Sequence, residues 1–201
     1  MKKILIGLLA AFALTGCMTP KFAVKEADTR FSENKDPLYL AENNRISTKS
    51  IAGGIHIDEK GVYLNPFVSK NRDTGNIVLL GLNIVNKTDY DTTHGGVNQL
   101  GIIREVVFRF SNGDLITLNV SNQENRSSDT VSYNSVARYA SYDKWETGAI
   151  RVSEEQLKKL ATANSVSCKI TGSKQSVVYE EKDVAPEFLA NINQFYKSYV
   201  E

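Results

Sequence analysis

The chain has 201 residues, 41% of them hydrophobic and 23% charged, with 24 basic against 23 acidic side chains. That length suits one domain with a real core and leaves little for a second. The near-neutral balance, with no block of five like charges, excludes the electrostatic footprint of a nucleic-acid binder.

The N-terminus is the most informative segment. Lys2 and Lys3 form a basic head, and Ile4 to Leu14 is an unbroken apolar run, too short to span a bilayer and of signal-peptide length. Behind it stands Leu14-Thr15-Gly16-Cys17, which resembles the bacterial lipobox, a leucine and two small residues ahead of a cysteine. Small residues let a peptidase hold the stretch extended against its own backbone, and the thiol takes the lipid. The resemblance implies that residues 1–16 are a signal peptide that is removed. Cys17 then becomes the mature N-terminus, bearing a thioether-linked diacylglyceryl group and usually an amide-linked third chain. One myristoyl-length chain holds a protein only marginally, each buried methylene adding about 0.8 kcal/mol, so two or three chains make a durable anchor. In Gram-negative lipoproteins an aspartate directly after the cysteine tends to retain the protein in the inner membrane. Met18 stands there instead and favours the outer membrane. Loss of Lys2 and Lys3 turns the formal charge of +1 into about −1. Cys168 remains as the other cysteine, so no intramolecular disulfide is expected.

Residues 17–50 are polar and mixed, with Pro20 and Pro37 and no sustained period, and read as a lipidated tether. The domain is expected over 51–201. Ile51 to Ile57 and Val62 to Val68 read as strands around Asp58-Glu59-Lys60-Gly61, with Pro66 pointing to an edge position for the second. Asn76 to Asn86 is apolar on both alternating faces, as in a central strand covered on both sides. A polar loop, Lys87 to Asn98, follows. Ile102 to Phe110 and Leu115 to Val120 then flank Asn112-Gly113, the strongest hairpin signal in the chain, with Val106, Phe108 and Phe110 facing Ile116, Leu118 and Val120.

Ser121 to Asp129 reads as a loop and Val131 to Ala140 as a strand leading on to Val152. Ser153 with Gln156 is a capping box that opens a short helix near 153–163. Val166 to Ile170 and Ser176 to Tyr179 form a hairpin, and Pro186 opens a C-terminal helix near 186–199. Its stripe of Phe188, Ile192, Phe195 and Tyr199 packs it on a sheet. Strands in runs with helices late in the order predict an α+β fold, mostly antiparallel, with the helices packed on the sheet. A β-sandwich with a terminal helix is the alternative.

Chemistry-bearing residues are few. His56 alternates with Ile55 and Ile57, which reads as a solvent-facing strand histidine. Asp89, Asp91 and His94 share one loop and are weak candidates for a metal site or a base with its orienter, although their spacing matches no metal signature. Cys168 alternates with Val166 and Ile170 and reads as a buried thiol. No G-x-S-x-G elbow, Walker loop or dinucleotide fingerprint occurs, and no cofactor is expected. Tyr133, Arg138, Tyr139, Tyr142 and Trp145 combine amphipathic rings with a cation and form the candidate binding surface, Tyr133 and Tyr139 on one strand face. These features favour a non-catalytic lipoprotein of the cell envelope. It is read as a binding or accessory module held at the membrane by Cys17, with a protein or envelope polymer as partner and no nucleic acid. The alternative is an envelope hydrolase or metal-dependent enzyme using Asp89, Asp91 and His94.

Overall fold

The computed structural model describes residues 21–30, 35–136 and 138–201; the leader, the lipobox and Cys17 lie outside them. In chain order come β1 (Ala23–Glu26), β2 (Leu38–Glu42), β3 (Gly61–Lys70), β4 (Ile77–Asp91), β5 (Ile103–Phe110), β6 (Leu115–Asn119), β7 (Ser121–Ser127), β8 (Ser132–Asn134) and β9 (Tyr139–Arg151). Helix α1 (Glu154–Ala161), β10 (Val166–Gly172), β11 (Ser176–Tyr179) and helix α2 (Pro186–Tyr199) complete the chain. The strands form two antiparallel sheets. The larger runs β1-β2-β3-β4-β9-β7, with β8 also paired to β9, and the smaller runs β11-β10-β5-β6. The α+β architecture expected from the element pattern is the one observed.

Alternation decides which face of each strand enters the core. Val62, Leu64 and Val68 of β3 and Leu80, Leu82 and Ile84 of β4 point into one cluster with Val106 and Phe108 of β5 and Ile170 of β10. Both helices close that cluster, α1 through Leu157 and Leu160, α2 through Phe188, Ile192 and Phe195. The Phe108 and Phe188 rings stack with centroids 6.2 Å apart, and Tyr199 meets Tyr39 of β2 at 4.9 Å. Tyr196, outside the predicted stripe, is buried with it. Helix α1 starts where the capping box places it: the Gln156 amide donates to Ser153 Oγ, and the Ser153 amide donates back to Gln156 Oε1. The β5–β6 hairpin has the anticipated register, Val106 opposite Leu118 and Phe108 opposite Ile116. Gly113 takes φ 87° in its turn, a conformation glycine adopts without strain.

Several elements differ from their sequence reading. Residues 17–50, expected as a tether, contribute β1 and β2 to the larger sheet and Ala41 and Ile46 to the core. The sheet therefore begins at Ala23 and not near Ile51. Pro66 does not mark an edge, because β3 lies between β2 and β4. The ladder along β3 changes partner there: Phe67 pairs with Leu40 of β2, while Leu64 donates to the Asn44 carbonyl beyond a left-handed kink at Asn43. The missing N–H falls in the gap between the two partners. Strand β4 continues through Asp91 into the expected polar loop, and its Val78 is exposed. Ser121 to Ser127 is the edge strand β7, not a loop. Val131 to Ala140 is not one strand but a tight hairpin of β8 and β9, with Arg138 in its turn at φ 55°. Ile51 to Ile57 forms only an isolated bridge, Lys49 to Ile55, and its sidedness is inverted: the His56 side chain is 11% exposed, whereas Ile55 and Ile57 are 73% and 87% exposed.

Candidate functional site

Pairing across β8 and β9 sorts the aromatic candidates. Tyr133 is opposite Ala140 and Asn134 is opposite Tyr139, so Tyr133 and Tyr139 lie on opposite faces of the sheet, not on one. Tyr133 shares a side with Tyr142, whose ring stacks on Tyr90 of β4 at 5.3 Å. Tyr139 shares the other side with Trp145, the side turned away from the core cluster. Arg138 sits exposed at the hairpin turn.

Trp145 is half-buried on that outer face. It stands directly opposite Lys87 of β4 on one flank and Arg126 of β7 on the other. The Lys87 ammonium lies 4.9 Å from the centroid of the Tyr63 ring, so Tyr63, Lys87, Trp145 and Arg126 form a row of alternating rings and cations across four strands. Tyr63 is buried, Lys87 lies 3.9 Å from Glu59 and Arg126 is paired with Glu124 at 2.7 Å, so the ring of this row that is open to a planar or sugar-like group is Trp145. The row assembles from four segments far apart in sequence, which is why only Trp145 stood out in the reading of the chain.

The acidic loop is organised differently. Asp89 and Asp143 are directly opposed on β4 and β9, and Lys60 neutralises the pair at 3.0 and 3.6 Å. Burial by itself lowers the Lys60 pKa, but Asp89, Asp143 and Asp58 outweigh it and the net shift is upward. Asp91 closes its own turn, its Oδ1 accepting from the Thr93 and His94 amides at 2.7 and 2.6 Å. The His94 amide, ahead of the Thr93 amide, holds the Asp91 carboxyl below the usual carboxylate range. The exposed His94 ring lies 3.3 Å from Asp91 through Nδ1. Asp91 and His94 thus meet, while Asp89 is held elsewhere by Lys60. Among the described residues no three His, Cys, Asp or Glu side chains are grouped to hold a metal ion.

One functional group went unnoticed in the sequence. Glu146 is fully buried. Its Oε2 accepts from the Leu100 amide at 2.7 Å and from Asn86 Nδ2 at 2.8 Å, and its Oε1 accepts from the Gly101 amide at 2.8 Å. Leu100 in turn accepts from the Lys174 amide at 2.9 Å, and the Ser173 amide donates to Ile102 at 2.9 Å. A carboxylate on the larger sheet therefore pins the corner from which the smaller sheet departs. The signal was its parity: Glu146 shares its side of β9 with Gly148 and Ile150, the core-facing set of that strand.

Cys168 is fully buried between Val166 and Ile170, and burial pushes its thiol pKa far up, away from the reactive thiolate. His56 shifts the opposite way, lowered first by burial and then by the Arg45 charge.

The membrane attachment lies in the leader. Residues 1–17 match the family model described as the prokaryotic membrane lipoprotein lipid attachment site. The chain is thus a bacterial membrane lipoprotein, lipid-anchored in the cell envelope. No helix among the described residues is long and apolar enough to cross a membrane. No curated protein and no solved structure matches the chain.

Proposed function

We propose that this lipoprotein is a non-catalytic binding or accessory module of the envelope, acting through the outer face of its larger sheet. The observation that carries this reading is Trp145, half-exposed away from the core between Lys87 and Arg126. A ring flanked by cations suits a protein or envelope polymer carrying carboxylates, with Tyr139 extending the same face and Arg138 at the hairpin turn beyond it, while Tyr133 and Tyr142 lie on the opposite face. Met18 after the lipidated cysteine supports placement in the outer membrane, with residues 1–16 removed as the signal peptide.

Trp145 is the chain's one tryptophan, so its emission reports occupancy of this face directly. Titration with purified cell-wall polymer or with candidate envelope proteins should shift or quench that emission. Tyr139→Ala and Lys87→Ala should weaken the binding that co-sedimentation or cross-linking reads in parallel. His94→Ala and Asp91→Ala should leave it intact. Binding that survives Trp145→Ala unchanged, or that disappears with His94→Ala, would refute the assignment of the site.

A further inference from the structure

We propose that the loop from Ala52 to Asp58 dips Ile55 and Ile57 into the headgroup and acyl boundary of the bilayer that holds the Cys17 lipid, docking the domain on the membrane in a fixed orientation. The proposal rests on the lipid anchor established by the leader.

Two observations meet at this loop. The first is its inverted polarity: the isoleucines point to solvent while His56 between them is tucked in. The inversion is built into the backbone. The His56 amide donates to the Thr48 carbonyl at 2.8 Å, the Ser50 amide to Gly54 at 3.0 Å, and Arg45 reaches the carbonyls of Asp58 and Lys60. Two outward isoleucines flanking an inward histidine on a pinned loop are an apolar tip held ready for an apolar medium.

The second observation is where the chain leaves the domain toward its lipid. Lys21 and Phe22 line a cleft of about 400 Å³ together with Arg45, Thr48 and Tyr63. Thr48 and Arg45 are the residues that hold the isoleucine loop, and Tyr63 donates to Glu59 at its far side. Only three residues lie between Cys17 and Lys21, four steps of the chain and a reach of at most about 14 Å fully extended. Much of the stretch expected as a tether is instead part of the larger sheet, which begins at Ala23. The end of the domain where Arg45 and Thr48 hold the isoleucine loop therefore stays within a short reach of the lipidated cysteine. An isoleucine side chain transferred out of water is worth roughly tenfold or more in partition, so two of them suffice to bias the orientation of a domain already anchored.

The test uses the full lipidated protein in vesicles of phosphatidylethanolamine and phosphatidylglycerol. Cys168 is buried, so a thiol-reactive environment-sensitive fluorophore can be placed at Ile57→Cys and, as a distant control, at Asp73→Cys in the turn between β3 and β4. Strong quenching by spin-labelled acyl chains at position 57 with none at 73 is expected. Equal, background quenching at both sites on protein that floats with the vesicles overturns the docking while leaving the anchor intact. Protein that does not float at all removes the anchor, and the docking with it. A probe at Ala52→Cys should lose its quenching when Ile55→Ser and Ile57→Ser are combined; unchanged quenching there would overturn the role of the isoleucines.

Discussion

Replacing Glu146 should show how much of the fold depends on one buried carboxylate. Glu146→Ala leaves the amides of Leu100 and Gly101 without acceptors inside the protein, while Asn86 retains the Asn98 carbonyl at 2.9 Å. Each orphaned buried donor costs about 1–3 kcal/mol, so the loss should be about 4 kcal/mol, with a cavity adding to it. Glu146→Gln keeps one oxygen but turns an NH2 group toward a backbone donor, and should cost about half as much. Equilibrium denaturation in guanidinium chloride measures both, and for a domain of this size about 4 kcal/mol corresponds to a fall in Tm of roughly 8–16 °C. Loss of less than about 1 kcal/mol in the alanine variant, with an unchanged m-value, would falsify the view that this carboxylate joins the two sheets.

Phe188→Ala removes a fully buried ring stacked on Phe108 and should cost about 3–5 kcal/mol in the same assay. Gly172→Ala should destabilise comparably to a core defect, since an added Cβ would lie 2.1 Å from the Leu100 carbonyl oxygen; a neutral result would show that the corner yields. The folded-state pKa of His56 is depressed, so its contribution to stability is complete above the unfolded value near 6.5 and is lost as pH falls from there through the folded pKa. Stability measured across that window should fall in the wild type and stay flatter in His56→Gln.

Local signals resolved what was local. The capping box at Ser153, the Asn112-Gly113 turn and the stripe of α2 each encode their element within a few residues, and each formed as read. The larger sheet was harder because its outer members carry little pattern. Strand β7 is exposed along its whole length and contains no apolar residue, so it has no hydrophobic period to detect. Strands β1 and β2 are short, and pairing of β2 with β3 and of β1 with β2, rather than their own composition, makes them strands. The candidate site was legible as residue types but not as faces. The link between β8 and β9 lacks the usual Asn-Gly signature, and without that signal Tyr133 and Tyr139 read as lying together instead of apart. Trp145 and Glu146 reverse the common expectation, the ring facing out and the carboxylate in, because the register of β9 against β4 fixes both.

The two ends of the larger sheet acquire a further meaning on a membrane. Lipid anchoring confines neighbours to a plane, where open strand edges meet far more often than in solution. Strand β1 presents only four residues, with Lys25 paired to Glu42 at 2.6 Å, and β7 presents serines, asparagine, glutamine and the Glu124–Arg126 pair. Short or charged borders of this kind discourage strand addition by a second copy. The same polarity that concealed β7 in the sequence keeps crowded anchored domains from zipping into a common sheet.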